Sequence, residues 1–136
     1  MNSNFNPLSA EELVSRINKI PRIQLAQLPT VLEYAPNISK ELNINLYIKR
    51  DDCTALAFGG NKTRHLEFIM AKTLSGEYDC ILTGAAPQSN FCRQAVAAAN
   101  KLNLDSYLVL MHGVKGKLMQ GNFLLYNILG ANVDVV

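Results

Sequence analysis

The run from Phe58 to Met111, FGGNKTRHLEFIMAKTLSGEYDCILTGAAPQSNFCRQAVAAANKLNLDSYLVLM, decides the fold. Gly59-Gly60 open it, and the spacing predicts a helix from about Asn61 to Leu74 with Leu66, Ile69, Met70 and Leu74 on its apolar face. Cys80-Ile81-Leu82 is a short apolar strand. A loop from Gly84 to Gln88 follows, after which Cys92, Ala95, Val96 and Ala99 recur at helical spacing. Tyr107 to Met111 is a second apolar strand. Strands that are apolar throughout and alternate with helices predict an α/β fold: an open parallel sheet with helices on both faces.

The same alternation continues outward. Leu118, Leu125, Ile128 and Leu129 mark a third helix, and Val133 to Val136 begin another strand. The sequence stops inside that strand, so a truncated sheet is expected. Upstream, Ile44, Leu46 and Ile48 alternate with Asn45 and Tyr47 as in a strand. Pro29 and Pro36 are expected to break the stretch before it into turns and extended chain. Ser9-Ala10-Glu11-Glu12 reads as a capping box opening a helix that carries Leu13, Ile17 and Ile20 and stops at Pro21.

Composition narrows the class. The chain has 136 residues, 49% of them hydrophobic and 18% charged, which is globular rather than disordered. No apolar run approaches the length of a membrane span. A net charge of +2, from 13 basic and 11 acidic residues, is too small to point to nucleic acid or an anionic membrane. Cys53, Cys80 and Cys92 are an odd count without Cys-x-x-Cys spacing, so neither a disulfide framework nor a zinc site is expected; they read as core residues in a reducing compartment, the cytoplasm by default. His65 and His112 are far apart with no ligand-spaced neighbours, so no metal is expected. Met1 to Ala10 fits neither a secretory signal nor a transit peptide. No Gly-x-Gly-x-x-Gly or Walker loop follows a strand, which weakens a nucleotide-binding module.

In open α/β sheets ligands bind beyond the carboxyl ends of the strands. Two loops could serve. In Phe58-Gly59-Gly60-Asn61-Lys62 the glycines let the backbone approach a ligand, and Lys62 falls at a helix start. The positive end of the helix dipole disfavours an ammonium there, which helps an amine act as a nucleophile. Taken alone, the motif fits a solvated surface lysine better. In Gly84-Ala85-Ala86-Pro87-Gln88-Ser89-Asn90, Ser89 is an N-cap candidate and the free amides could hold a carboxylate or phosphate. Taken alone, simple capping by Ser89 and Asn90 accounts for it slightly better. Asp51-Asp52 reads as a solvated turn, and Arg64 and Arg93 as surface ion-pair partners with anion binding as the alternative.

Both loops, in this order and with an α/β unit between them, resemble a known family. Tyr47 to Phe68, YIKRDDCTALAFGGNKTRHLEF, and Thr83 to Leu104, TGAAPQSNFCRQAVAAANKLNL, look like the two signature regions of the D-cysteine desulfhydrase and 1-aminocyclopropane-1-carboxylate deaminase family, which uses pyridoxal 5'-phosphate. Leu25 to Leu42, LAQLPTVLEYAPNISKEL, and Gly121 to Val136, GNFLLYNILGANVDVV, match its style. The resemblance runs from about Pro21 onward and reverses the preference for a surface Lys62.

The resemblance implies the tryptophan synthase β-like fold (type II), with residues 1–60 an incomplete segment of the large cofactor-binding domain and 61–136 the incomplete small domain. It implies that Lys62 forms the Schiff base with pyridoxal phosphate and moves protons at the substrate α-carbon. Asn90 would hydrogen-bond the cofactor ring hydroxyl, and Asn61 would lie beside the cofactor. Ser89, with Gln88, Asn90 and neighbouring amides, would hold the substrate carboxylate, and Ser89 is a second candidate catalytic group. Many members carry a lysine three residues after the Schiff-base lysine, near the phosphate. Here it is His65, which would weaken phosphate binding or make it pH-dependent. The implied substrate is a small amino acid. D-cysteine, cleaved to pyruvate, sulfide and ammonia, comes first, because LMHGVKGKLMQGN (Leu110–Asn122) lacks a tryptophan associated with the cyclopropane deaminases. The alternatives are that deaminase activity and a truncated non-catalytic remnant. A homodimer is implied as well.

Overall fold

A computed structural model describes residues 7–111 and 118–136. Residues 1–6 and His112 therefore lie outside the described residues, as do six of the thirteen residues of the stretch compared with the cyclopropane deaminases. Among the described residues five α-helices and five strands are formed: α1 (Ala10–Ile17), β1 (Leu32–Tyr34), α2 (Pro36–Leu42), β2 (Tyr47–Lys49), α3 (Lys62–Ser75), β3 (Cys80–Ala85), α4 (Asn90–Lys101), β4 (Asp105–Leu110), α5 (Gly121–Ile128) and β5 (Asn132–Val135). No helix among them is long and apolar enough to cross a membrane.

The parallel sheet forms as the alternation predicts, in the order β3-β4-β5. Cys80 pairs with Asp105 through to Ala85 with Leu110, and Tyr107 pairs with Asn132 through to Leu110 with Val135. α4 is its keystone, and the reason is side-chain size. Ala95, Ala98 and Ala99 let α4 approach α3, where they pack with Leu25, Leu66, Met70 and Leu104. Cys92 and Val96, on another face of α4, pack with Leu108, Leu110, Phe123 and Tyr126 over the sheet. Each fully buried side chain of the Leu, Val or Met type contributes about 1.5–3 kcal/mol.

Coverage of the sheet differs from the expectation of helices on both faces. Along β4, Ser106, Leu108 and Leu110 are buried while Tyr107 and Val109 are exposed, because α4 and α5 both lie on one side. Apolar runs cannot reveal this, since a half-covered strand and a fully covered one can share a composition.

Smaller differences have local causes. Pro36 does not break the chain; it stands at the first turn of α2, where its fixed φ and missing N–H suit a helix start. The strand expected from Ile44 is shorter, because Asn43 ends α2 at a φ of 52° and β2 begins only at Tyr47, antiparallel to β1. On α3 the buried stripe is Thr63, Leu66, Glu67, Met70 and Ala71, whereas Ile69 and Leu74 are exposed. At α1 the Ser9 side chain accepts from Glu12 N at 3.1 Å, but the Glu12 carboxylate bonds Arg16, so only half of the capping box forms. The third helix begins at Gly121, leaving Leu118 outside it. Of the cysteines only Cys92 is core; Cys53 and Cys80 are exposed, and all three are free thiols.

Candidate active site

The Lys62 loop is held in a conformation that most residues avoid. Ala55, Ala57 and Phe58 have φ of 71°, 45° and 66°, and Gly59 and Gly60 follow at 71° and 131°. A left-handed non-glycine residue costs about 1–2 kcal/mol, so the loop needs compensating bonds. They come from three directions. Buried Thr54 accepts from Gly60 N at 2.9 Å through its hydroxyl. Asp51 O accepts from the same amide at 2.9 Å. The Gly59 carbonyl accepts from Arg93 Nη2 at 2.9 Å and Gln94 Nε2 at 2.8 Å, both on α4. Gln94 is in turn fixed by Thr63 Oγ1 at 2.6 Å. The glycines are required for packing as well. A Cβ on Gly59 would lie 1.8 Å from Asp52 O, and one on Gly60 would lie 2.4 Å from Gln94 Nε2.

This loop delivers Lys62, half-buried, as the first residue of α3. Asn61 stands at the N-cap, is exposed, and makes no side-chain capping bond. His65 is exposed one turn along. No ion pair among the described residues engages Lys62.

The second loop leaves the carboxyl end of β3. Ser89 caps α4, its Oγ accepting from Cys92 N at 3.3 Å, and its carbonyl accepts from Tyr126 Oη at 2.9 Å. The Gln88 side chain is bonded at both ends: Oε1 accepts from Asn122 N at 2.9 Å and Nε2 donates to Gln120 O at 3.0 Å. Asn90 Oδ1 accepts from Arg93 Nη1 at 2.9 Å and Asn122 Nδ2 at 3.0 Å. A guanidinium has donors only, so the amide of Asn90 must turn its oxygen to Arg93, which leaves the NH2 of this exposed residue without a bond among the described residues. Burial pushes the Cys92 thiol and the Tyr126 phenol up, which keeps both neutral and structural.

Arg93 and Asn122 were not singled out for these roles by the sequence. Arg93 donates to Asn90, Asn122 and Gly59, and so ties both loops together; it forms no ion pair among the described residues. Its Nε is buried without a hydrogen-bond partner among the described residues. The one sequence signal is the spacing of three between Asn90 and Arg93 on a helix. The other contacts join residues about 30 apart and leave no local trace. Arg64 does form an ion pair, bonding Asp51 through Nε at 2.9 Å and Nη2 at 2.6 Å; this pairing, not solvation, holds Asp51, while Asp52 stays exposed beside Arg50.

In an open parallel α/β sheet small-molecule ligands bind beyond the strand ends, where the Lys62 and Asn90 loops are joined through Arg93. The chain belongs to the family of pyridoxal-phosphate dependent enzymes, matching it over residues 23–136. It is 41% identical over 125 residues to a protein of Pyrococcus horikoshii provisionally named 1-aminocyclopropane-1-carboxylate deaminase, covering 91% of this chain and 37% of that one. It is 40% identical over 126 residues to D-cysteine desulfhydrase of Klebsiella pneumoniae, covering 90% and 38%. A crystal structure of an ACC deaminase homologue superposes with a TM-score of 0.85 at 40% identity, over 91% of this chain and 37% of that one, which bears out the type II fold. The chain thus spans somewhat over a third of the length of these relatives.

The residues present fit pyridoxal phosphate. Lys62 supplies an amine on a glycine-held turn, the Asn90 amide a donor, and the buried Arg93 Nε marks a cation that no described carboxylate neutralises.

Proposed function

We propose that this chain belongs to a pyridoxal-phosphate dependent lyase acting on a small amino acid, with D-cysteine as substrate and pyruvate, sulfide and ammonia as products after uptake of one water. The observation that carries this reading is the junction of the Lys62 loop and the Asn90 loop through Arg93. When bound, the cofactor supplies an electron sink for negative charge at the substrate α-carbon. Lys62 holds the cofactor and moves a proton at that carbon. The Asn90 NH2 donates to the cofactor ring oxygen. Ser89 and the amides at the start of α4 hold the substrate carboxylate, and Gln88 braces that loop against α5. Asn61 would lie beside the cofactor, and His65, one turn along α3, would lie near its phosphate.

Opening of the cyclopropane ring of 1-aminocyclopropane-1-carboxylate, giving 2-oxobutanoate and ammonia after uptake of one water, is the second reading, favoured by the Pyrococcus relative and the solved homologue. Residues 1–60 belong to the large domain and 61–136 to the small one; the separation of the β1-β2 sheet from β3-β4-β5 supports this division. A homodimer follows the family habit, and three free thiols support a cytoplasmic setting.

The test is to load the protein with pyridoxal phosphate, reduce with borohydride, map the adduct by mass spectrometry, and assay both substrates. A single adduct at Lys62, absent from Lys62→Ala, with turnover of D-cysteine is expected. Labelling scattered over many lysines would defeat the reading, and turnover of the cyclopropane substrate alone would move it to the deaminase.

A further inference from the structure

The three arginines that anchor this region differ in what they bond. Arg22 pairs with Glu67 and Arg64 with Asp51. Arg93 bonds only neutral oxygens: Asn90 Oδ1 and Asn122 Oδ1 through Nη1, each at 2.9 Å, and Gly59 O through Nη2 at 2.9 Å. No carboxylate pairs with it among the described residues. Leaving a partly buried cation without an anion is costly, so its placement has to be explained by what it does to its neighbours.

It does two things to Asn90. It fixes the amide, because two donors, Arg93 Nη1 and Asn122 Nδ2, converge on Oδ1. It also polarises the amide. Positive charge at the oxygen draws electrons from the nitrogen and makes its N–H groups stronger donors toward an anionic acceptor.

We infer that Arg93 is a positioning residue that acts through Asn90, aiming and strengthening its NH2 toward an ionised oxygen of the bound ligand. The inference rests on the proposed function, in which that oxygen is the ring oxygen of pyridoxal phosphate. Arg93 does not itself touch the ligand. Its bond to Gly59 O gives it a second duty, holding the Lys62 loop in register with Asn90.

A purely geometric clamp and a charged one predict different behaviour. Lysine at position 93 keeps the charge but loses the fork; glutamine keeps a donor but loses the charge. The experiment measures, at fixed pH, the affinity of the protein for pyridoxal phosphate and the absorbance bands of the lysine-bound cofactor with its ring oxygen ionised or neutral. Folding of each variant is checked by circular dichroism. Arg93→Gln is expected to weaken cofactor binding roughly tenfold, the order expected for loss of a charge-assisted bond, and to raise the neutral-oxygen band. Arg93→Lys should lose part of the affinity yet keep the band ratio near wild type. An unchanged ratio in folded Arg93→Gln would overturn the inference, and so would equal shifts in the two variants. Should Arg93→Gln not fold, Asn122→Ala takes its place: it frees half of the Asn90 carbonyl and should shift the ratio the same way by less, and no shift would be equally fatal. A wild-type protein without any band dependent on Lys62 would bring down the functional reading and the inference together, and needs no Arg93 variant to be seen.

Discussion

Glu67 shows how one residue sets a local conformation. It is fully buried on α3, a place where a carboxylate is expected only if it is well paired. Its Oε1 accepts from Leu25 N and Ala26 N, each at 2.9 Å, and its Oε2 from Arg22 Nε at 2.6 Å. It therefore supplies the backbone partners that an irregular segment, residues 22–26, cannot find in a ladder. Burial pushes its carboxyl up, but the two amides and the guanidinium outweigh this and hold it below the ordinary glutamate range. A depressed folded value means that Glu67 contributes stability above the unfolded glutamate range, and that the contribution is lost as pH falls through the depressed value. Glu67→Ala is expected to cost about 3 kcal/mol at neutral pH, since it leaves buried donors unpaired. Glu67→Gln should cost less and flatten the acid side of the profile. Urea unfolding across the acid range reads both effects, and a Glu67→Gln protein with wild-type stability and wild-type acid slope would contradict this account.

At the scale of elements, the starts of α3 and α4 are built by opposite means. α4 has a side-chain cap in Ser89, whereas α3 has none and depends on the strained loop before it. Ser89→Ala should lower stability by about 1 kcal/mol, as loss of a cap does, while Ser89→Asp should restore it. Equal losses in the two variants, by thermal melting, would show that the hydroxyl is no cap. Gly59→Ala should cost more, about 2 kcal/mol or above, because the new Cβ meets the Asp52 carbonyl at a φ of 71°. It should also weaken labelling of Lys62, and a variant that melts and labels like wild type would refute the loop's role. The helix starts were legible because Ser89, Gly59-Gly60 and the period of α4 are local signals. The role proposed for Lys62 rests on the resemblance of whole segments; its own neighbours favour a surface role. The positions of Arg93 and Asn122 were not legible, since their bonds reach residues 29 to 34 away. Nor was the buried side of Glu67, because periodicity assigns a charge to solvent unless its distant partners are known.

At the scale of the molecule, the uncovered face of the parallel sheet is the main unsatisfied feature. Leu82 and Tyr107 are paired in register and are 73% and 42% exposed, and Val109, two residues on, is 39% exposed. Next to them β5 presents Asn132 and Asp134. An apolar centre of this kind on a sheet is ordinarily buried against another layer. Neither α4 nor α5 can do so, because both are committed to the opposite face. The 136-residue stretch expressed by itself should therefore bind a hydrophobic dye and self-associate through this face. Replacing Leu82 and Val109 together by lysine should suppress both behaviours. Neither side chain belongs to the two packed clusters, so the midpoint of unfolding should move by only about 0.5 kcal/mol equivalent per site, as for surface positions. Sedimentation velocity and dye titration on the two proteins decide the matter. A stretch that stays monomeric and dye-silent with its native Leu82 and Val109 would mean that three apolar side chains on this sheet are tolerated in water. A doubly substituted stretch that unfolds would mean that they already contribute to the packing of the sheet itself.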